Sequence, residues 1–93
     1  MNRTDILETA ISLTNGARDN TYGDPFANHT KLAALITAFL GFQISPMQAA
    51  VILVLVKIAR MSVSPLHNDN YVDAAAYVAI AGECANRSAS IGK

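Results

Sequence analysis

The feature that most constrains the fold is an apolar helix with a strong start signal. In Ser45-Pro46-Met47-Gln48, the side chains of Ser45 and Gln48 can cap each other's backbone N–H groups, and Pro46 suits the first helical position. The residues from Met47 to Met61 are then apolar on almost every face. A helix that is apolar all round is buried on all sides. One domain of 93 residues cannot easily surround such a helix, so part of its surface is expected to meet another copy of the chain.

Two helices are predicted before this one. The first runs from about Thr4, which is a suitable N-cap, to Asn15, where Asn-Gly stops it. The second begins at Asp24-Pro25, read as N-cap and first helical residue, and Gly41 ends it. A polar loop, residues 17–24, separates the two helices.

A fourth, alanine-rich helix is predicted to begin near residues 68–70 and to run to about Arg87, and the tail 88–93 is expected to be frayed. Strand patterns are absent. The sequence therefore predicts an all-α protein. It is a compact four-helix domain over residues 1–93, with a very apolar central third helix, that assembles into an oligomeric helical bundle.

The composition of the chain limits the kinds of partner that it is expected to bind. Hydrophobic residues make up 52% of the chain and charged residues 15%, against about 25% charged in a typical domain, so a homo-oligomer that buries the surplus is expected. Seven basic and seven acidic residues give no net charge. This argues against general nucleic-acid binding, which needs an excess of cations, but a small nucleotide ligand needs only a few.

The sequence also bears on location. The only cysteine, Cys84, is most simply a small buried hydrophobe, and a single cysteine fits a reduced, intracellular setting. No signal-peptide pattern is present at the start of the chain. The longest unbroken apolar run, Ala49–Val56, is far shorter than the roughly 20 residues of a membrane span. We therefore expect no membrane partner and a cytoplasmic location.

Two cations stand out near the end of the third helix. Lys57 and Arg60 are three residues apart and share one face of an otherwise apolar helix. The negative end of the helix dipole can stabilise both cations, with their aliphatic stems lying on apolar surface. Alternatively, they can form a salt bridge to Asp69 or Asp73. They can also bind the phosphate of a ligand, for which the guanidinium fork and the ammonium are suited. These three explanations can coexist.

The segment from His67 to Asp73 is dense in polar side chains. Asp69, Asp73 and Tyr77 are spaced by four and therefore line one helical face. They can contact a metal or a ribose, or they can simply cap and charge the start of the fourth helix. His29, near the start of the second helix, favours a surface or capping role.

The remaining residues and motifs do not indicate catalysis. Tyr22, next to Gly23, can pack in a turn or stack on a nucleobase. The chain has no glycine-rich phosphate loop, no H-E-x-x-H and no G-x-S-x-G, and nothing suggests nucleophilic catalysis.

A combined pattern resembles a known family. It consists of Arg18, Tyr22-Gly23-Asp24-Pro25, Asn28, Lys57-Ile58-Ala59-Arg60 and His67-x-Asp69-Asn70-Tyr71-x-Asp73-x-x-x-Tyr77. Over about residues 4–85 the chain is similar to small, uncharacterised phage and prophage proteins, sometimes described as distant relatives of the MazG-like enzymes. Those enzymes are all-α, oligomeric, Mg²⁺-dependent nucleoside-triphosphate pyrophosphatases.

The resemblance implies a helical pocket shaped for a nucleotide. MazG-like enzymes hold Mg²⁺ with Glu-x-x-Glu on one helix and an acidic pair on the next. Asp69 and Asp73 can match the second pair, but Lys57 and Arg60 stand where the first is expected. Two carboxylates beside two cations hold Mg²⁺ poorly, so hydrolysis is not favoured. The expected function is a phage protein that binds a nucleotide without cleaving it, and so could sequester a host signalling nucleotide.

The expected ligand-binding residues are Lys57, Arg60, Arg18, Tyr22, Asp24, Asn28, His67, Asp69, Tyr71, Asp73 and Tyr77, with no catalytic residue and no cofactor. One alternative is a Mg²⁺-dependent pyrophosphohydrolase, with Asp69, Asp73 and either Glu8 or Asp24 on the metal. The other is a structural or protein-interaction module, in which the polar cluster ties the third helix to the fourth.

Overall fold

A computed structural model describes residues 1–15 and 23–91 of the chain. These residues form four helices and no strand, which confirms the all-α prediction. The helices are α1 (Arg3–Asn15), α2 (Pro25–Leu40), α3 (Pro46–Val63) and α4 (Asn68–Ile91).

The helix starts follow local capping chemistry. The Asp24 side chain accepts a hydrogen bond from the Ala27 N–H at 3.2 Å, as expected of the cap of α2. At α3 the reciprocal capping box is complete, because the Ser45 hydroxyl accepts from the Gln48 N–H at 3.1 Å and the Ser45 N–H donates to Oε1 of Gln48 at 2.9 Å. Both predicted starts are confirmed.

The cap of α1 differs from the prediction. The Asn2 side chain accepts from the Asp5 N–H at 2.9 Å, and the Asn2 N–H donates to Oδ2 of Asp5 at 3.1 Å. This reciprocal pair lets the helix begin at Arg3, one residue before Thr4. An asparagine three residues before a carboxylate is as effective a start signal as the threonine chosen from the sequence.

Two helix ends are also defined. Gly41 adopts a left-handed conformation with φ 85° and donates its N–H to the Thr37 carbonyl at 2.8 Å, so it ends α2 as predicted. The end of α4 was predicted too early, because the helix continues past Arg87 to Ile91. No glycine or proline interrupts residues 88–91, so the backbone hydrogen bonds continue through the segment that was expected to be frayed.

Helix packing is centred on α4. The most extensive contact is between α3 and α4, which the short connection 64–67 joins. Helix α1 packs on α4, and α2 packs mainly on α3 and less extensively on α4. One core cluster joins Ala10 of α1 to Val72 and Ala76 of α4, and a second joins Ala33 of α2 to Ile44 and Ala49. Small residues dominate both clusters, which lets the helix backbones approach closely.

The third helix is far less buried than its composition predicted. Within one chain only Ala49 and Ala50 of α3 are buried, whereas Leu55 is 57% exposed and Val63 is 84% exposed. The physical reason is the small number of helices, since α4 and α2 cover only part of the circumference of α3. The outward face of α3 is therefore apolar and uncovered in the single chain.

Candidate functional site

The two cations of α3 have different surroundings. The Nζ atom of Lys57 lies 3.0 Å from Oδ2 of Asp73 on α4, and the two side chains are only 15% and 16% exposed. This is one of the three predicted explanations for Lys57, a salt bridge that joins α3 to α4. Asp73 has a further interaction besides this one. Removing a mostly buried pair from water is costly, so these charges depend on each other.

Arg60, one turn further along α3, is exposed and forms no ion pair or hydrogen bond through its guanidinium with any residue in 1–15 or 23–91. It lines a cleft of about 370 Å³ at the corner where α3 ends and α4 begins. The other lining residues are Ala59, Val63, Ser64, His67 and Asn70. We call this space the corner cleft.

Asn70 is the buried polar residue of the corner cleft. Only 4% of the residue is exposed, yet its side-chain amide forms no hydrogen bond with the described part of the chain. Its backbone N–H donates to the His67 carbonyl at 3.2 Å. Its side-chain N and O atoms are not fully enclosed, because among the described residues only Nε2 of His29 is a buried side-chain atom without a hydrogen-bond partner. The Asn70 amide is therefore available to a ligand that enters the cleft.

The start of α4 adds to the polarity of the corner cleft. Asn68 is the first residue of α4, so the free N–H groups of its first turn and the positive end of the helix dipole lie beside His67. Nε2 of His67 is 3.9 Å from Oδ2 of Asp69, and both side chains are largely exposed, at 62% and 78%. With Arg60 opposite, this corner combines a guanidinium, an amide and a helix N-terminus, which favour an anion, whereas the Asp69 carboxylate beside His67 does not.

Tyr71 supports the corner cleft and does not line it. Its hydroxyl donates to the Pro65 carbonyl at 2.7 Å, which ties the first turn of α4 to the connection 64–67. The expectation that Tyr71 contacts a ligand stays a prediction, and the structure shows its phenol engaged with the backbone. The bond holds the loop that carries Ser64 and His67.

Asp24 belongs to a different end of the molecule. Besides capping α2, its Oδ2 accepts from Nη1 of Arg87 at 2.9 Å, and the Arg87 guanidinium lies 5.4 Å from the centre of the Phe26 ring. Asp24 and Arg87 line a second cleft of about 350 Å³. The other residues that line it are Thr14, Asn15, Pro25, Ala79, Ile80 and Glu83. Because Asp24 is already paired and capping, it is poorly placed to bind a metal or an anion.

His29 is buried, contrary to the surface or capping role expected for it. Only 8% of the residue is exposed, and its Nδ1 lies 2.8 Å from the Pro25 carbonyl, so Nδ1 carries the hydrogen. Its ring meets Tyr77 edge-on at 6.3 Å between centroids, and its Nε2 is buried without a hydrogen-bond partner. The sequence could have indicated this burial, because His29 is four residues before the buried Ala33 on the same face of α2.

The predicted site residues are therefore divided among three places. Arg60 and His67 line the corner cleft, with Asp69 beside it, whereas Lys57 pairs with Asp73 one turn away. Asp24 lies near the end of α4, and Asn28, which has a further interaction, donates its N–H to the Asp24 carbonyl. Arg18 and Tyr22 lie outside the described residues.

The sequence reasoning did not single out Asn70 or Ser64. Asn70 carried a usable signal, because it lies four residues before Ala74 on the buried face of α4. A polar residue on an apolar face needs a partner, and that partner can be a ligand.

Metal and thiol chemistry receive little support from the described residues. Within 1–15 and 23–91, no three His, Cys, Asp or Glu side chains are grouped closely enough to hold a metal ion. Cys84 is buried, and burial, followed by the nearby charge of Glu83, raises the pKa of its thiol. A protonated, enclosed thiol is a poor nucleophile.

The apolarity of α3 also bears on the membrane question. Among the described helices, α3 is long and apolar enough to cross a bilayer when only length and composition are considered. Core helices of globular proteins pass the same test, so this evidence is weak. The prediction from the sequence considered only the unbroken run Ala49–Val56, and the expectation of no membrane partner stays a prediction.

Comparisons with known proteins place the chain in a family. Its residues 5–85 match the family described as Domain of unknown function (DUF6378). The chain is 40% identical over 76 residues to the Gene 55 protein of Mycobacterium phage L5, an alignment that covers 81% of this chain and 49% of that protein. It is 38% identical over 72 residues to the Gene 55 protein of Mycobacterium phage D29, with 77% and 48% covered.

The chain thus spans about half the length of these curated phage relatives. No solved structure matches it significantly. Since the family match extends over most of the four helices, the chain belongs to the family described as Domain of unknown function (DUF6378), and the relatives named here are phage proteins.

Proposed function

We propose that this phage-type protein binds a small, phosphate-bearing ligand of the nucleotide class in the corner cleft and does not cleave it. One observation carries the proposal: Arg60, whose guanidinium is unpaired, and Asn70, whose side-chain amide has no hydrogen bond to a described residue, line the same cleft. A ligand with anionic oxygens satisfies both.

The expected contacts follow from the donors at the cleft. Arg60 presents parallel N–H groups that can hold two phosphate oxygens. The Asn70 amide and the Ser64 hydroxyl can donate to a third oxygen or to a sugar hydroxyl. The N–H groups at the start of α4 add positive potential beside the cleft.

The size of the corner cleft favours a small ligand. Its volume of about 370 Å³ is near the lower end of the range for small-molecule sites, roughly 300–1,000 Å³. A mononucleotide, or one half of a larger nucleotide with the rest in solvent, fits this volume. The site is not built to accept a nucleic-acid strand, since the chain has no net charge.

Absence of cleavage is supported by the arrangement of the carboxylates. Asp73, one of the two carboxylates expected to hold Mg²⁺, is paired with Lys57 at 3.0 Å. Asp69 is exposed beside His67. A phage protein that holds a nucleotide without converting it would lower the free concentration of that nucleotide in the infected host cell, and sequestration is therefore the role we propose.

The test is a binding screen on the purified chain. Thermal shift and titration calorimetry would be run with orthophosphate and with linear, cyclic and ADP-ribose-type nucleotides, each in EDTA and in Mg²⁺. A ligand that binds only the folded state raises the Tm. We expect a shift that persists in EDTA, weakens with salt, and is lost in Arg60→Gln.

The matched control is Arg3→Gln, which removes the same charge from an exposed position on α1 outside the cleft. The proposal is wrong if Arg60→Gln and Arg3→Gln bind the ligand equally well. A shift seen only with Mg²⁺, followed by loss of the nucleotide, would indicate the pyrophosphohydrolase instead. No shift with any ligand would favour the second candidate, a structural module, which the Lys57–Asp73 pair also supports.

A further inference from the structure

Among the described residues, small hydrophobic side chains are buried and many large ones are exposed, which is the reverse of what is expected for a stable monomer. The buried hydrophobic positions are mostly alanines, and the largest fully buried side chains are Val72 and Cys84. Large side chains such as Phe39, at 87% exposed, and Leu66, at 91%, face outward. Because burial of large apolar side chains is a main favourable term in folding, the single chain gains little from these exposed side chains.

The exposed apolar surface is concentrated in one part of the chain. Of the fifteen large hydrophobic residues that are exposed, eleven lie between Leu35 and Leu66, on the second half of α2, on α3 and in the loops that follow each helix. At the ~150–250 Å² that an aromatic side chain buries, taken as an upper value for each, the exposed fractions of all eleven sum to on the order of 1,000 Å², spread over more than one side of α3. Contiguous apolar patches on monomers rarely exceed a few hundred Å².

At the centre of this surface is a stripe on α3, formed by Met47, Val51, Leu55 and Ile58 and called here the α3 stripe. Spacings of four, four and three put these side chains on one face of the helix, and all four are exposed, by 36% to 57%. The same spacing forms the contact seam of packed helix pairs. Lys57 lies outside this stripe, turned toward Asp73.

We propose that a second copy of this chain covers the surface, with the α3 stripe of one copy packed against the α3 stripe of the other in a two-fold symmetric dimer. The inference goes beyond the ligand site and does not depend on it. A two-fold interface places the same patch on both copies, so the patch must complement itself. An aliphatic stripe without charges meets this condition, because no like charges are brought together.

The exposed area also fits a second copy. A stable dimer buries about 800 Å² on each partner, and the exposed apolar side chains between Leu35 and Leu66 offer that much only when most of them take part. The α3 stripe alone is too small for a stable interface, so the ends of α2 and the adjoining loops are expected to contribute. Homodimer interfaces are more apolar than the interfaces of non-obligate complexes, and the absence of Asp and Glu from α3 agrees with this.

A bilayer fits the same surface less well. A spanning α3 would carry α4 into the lipid with it, because the two helices form the longest contact of the fold and share the Lys57–Asp73 pair. A helix lying on the bilayer surface usually has a polar face rich in Lys and Arg, and α3 has only Lys57, which is paired, and Arg60. The observations therefore favour the second copy.

The experiment measures mass and stability together on the full chain. Sedimentation velocity and light scattering would be recorded from roughly 5 to 100 µM, and thermal unfolding over the same range, since association makes the Tm depend on protein concentration. We expect a dimer, or a higher assembly built from it, and a Tm that rises with concentration. Leu55→Glu should shift the population toward monomer by at least tenfold in dissociation constant.

Val78→Glu is the matched control, because Val78 of α4 is as exposed as Leu55, at 57%, and lies outside the surface. It should leave the assembly unchanged. If Leu55→Glu fails to fold, the concentration dependence of the wild-type Tm still decides the question. A wild-type monomer across the range with a constant Tm overturns the proposal, as does co-flotation of monomeric chain with phosphatidylcholine–phosphatidylglycerol vesicles, which would assign the surface to a bilayer.

Discussion

The Nζ atom of Lys57 lies 3.0 Å from Oδ2 of Asp73, and this contact joins α3 to α4 where both side chains are mostly buried. Arg60, one turn away on the same helix, has no such partner among the described residues. Two cations that looked equivalent in the sequence are thus separated into a structural role and a candidate binding role. Substitution of each should therefore change a different measured property.

Lys57→Met is expected to lower the free energy of unfolding by about 2 kcal/mol, because it keeps the apolar stem but leaves Asp73 without its ammonium partner. Urea denaturation followed by circular dichroism measures this. Lys31→Met, at an exposed position of α2, is the control and should change stability by less than about 0.5 kcal/mol. Equal stability of the two variants would show that the ion pair contributes nothing.

Tyr71→Phe should cost about 0.5–1 kcal/mol, since it removes the hydroxyl that donates to the Pro65 carbonyl at 2.7 Å. The same variant should weaken ligand binding at the corner cleft, because the connection 64–67 loses its tie to α4. Tyr77→Phe is the control, as the Tyr77 hydroxyl forms no hydrogen bond with a described residue. Denaturation and calorimetry on both variants would separate the effects, and an unchanged Tyr71→Phe would contradict the role given to this bond.

Ser45→Ala should destabilise the chain by about 1 kcal/mol, because the Gln48 N–H at the start of α3 loses its acceptor. Ser62→Ala provides the comparison. The Ser62 hydroxyl donates to the Ala59 carbonyl within α3, a local bond that adds little to helix stability. Thermal or chemical denaturation should rank the two variants in this order, and the reverse order would mean that the capping box is unimportant here.

Cys84 should be unreactive in the folded protein. Burial raises the pKa of its thiol above the ordinary value of 9.0, and the nearby Glu83 carboxylate raises it further. Because the folded pKa is the higher one, the resulting stability is present below pH 9.0 and is lost as the pH rises through the folded pKa. Reaction with a disulfide reagent near pH 8 should be much slower in buffer than in urea. Equal rates would show that the thiol is accessible.

The helices could be predicted from the sequence because their signals are local. The capping box at Ser45, the Asp24-Pro25 start and the stop at Gly41 depend on residues within one turn of each other. The end of α4 was missed for the complementary reason: nothing before Gly92 interrupts the helix, and the sequence offered only a change in polarity after Arg87. Boundaries without a specific cap are the least predictable part of a helix.

The site was less predictable because it depends on which faces of the helices meet. Sequence spacing placed Lys57 and Arg60 on one face, but only Lys57 has an ionic partner on α4 among the described residues, whereas Arg60 borders the cleft. Burial of His29 and Asn70 likewise follows from packing against other helices, which no local rule supplies. For both residues the sequence signal was a polar side chain four positions from a buried alanine on the same helix face. That signal indicates burial only when the packing of the other helices is also considered.

Placement of Arg60, Lys57 and Leu55 on one continuous helix has a mechanical consequence. A helix moves as a rigid rod over short distances, so a small rotation or sliding of α3 displaces the cleft, the ion pair and the apolar stripe together. If association fixes the position of α3, it also fixes the position of the Arg60 guanidinium. By thermodynamic reciprocity, a ligand that prefers one position of α3 would then strengthen or weaken the pairing of two chains by the same factor.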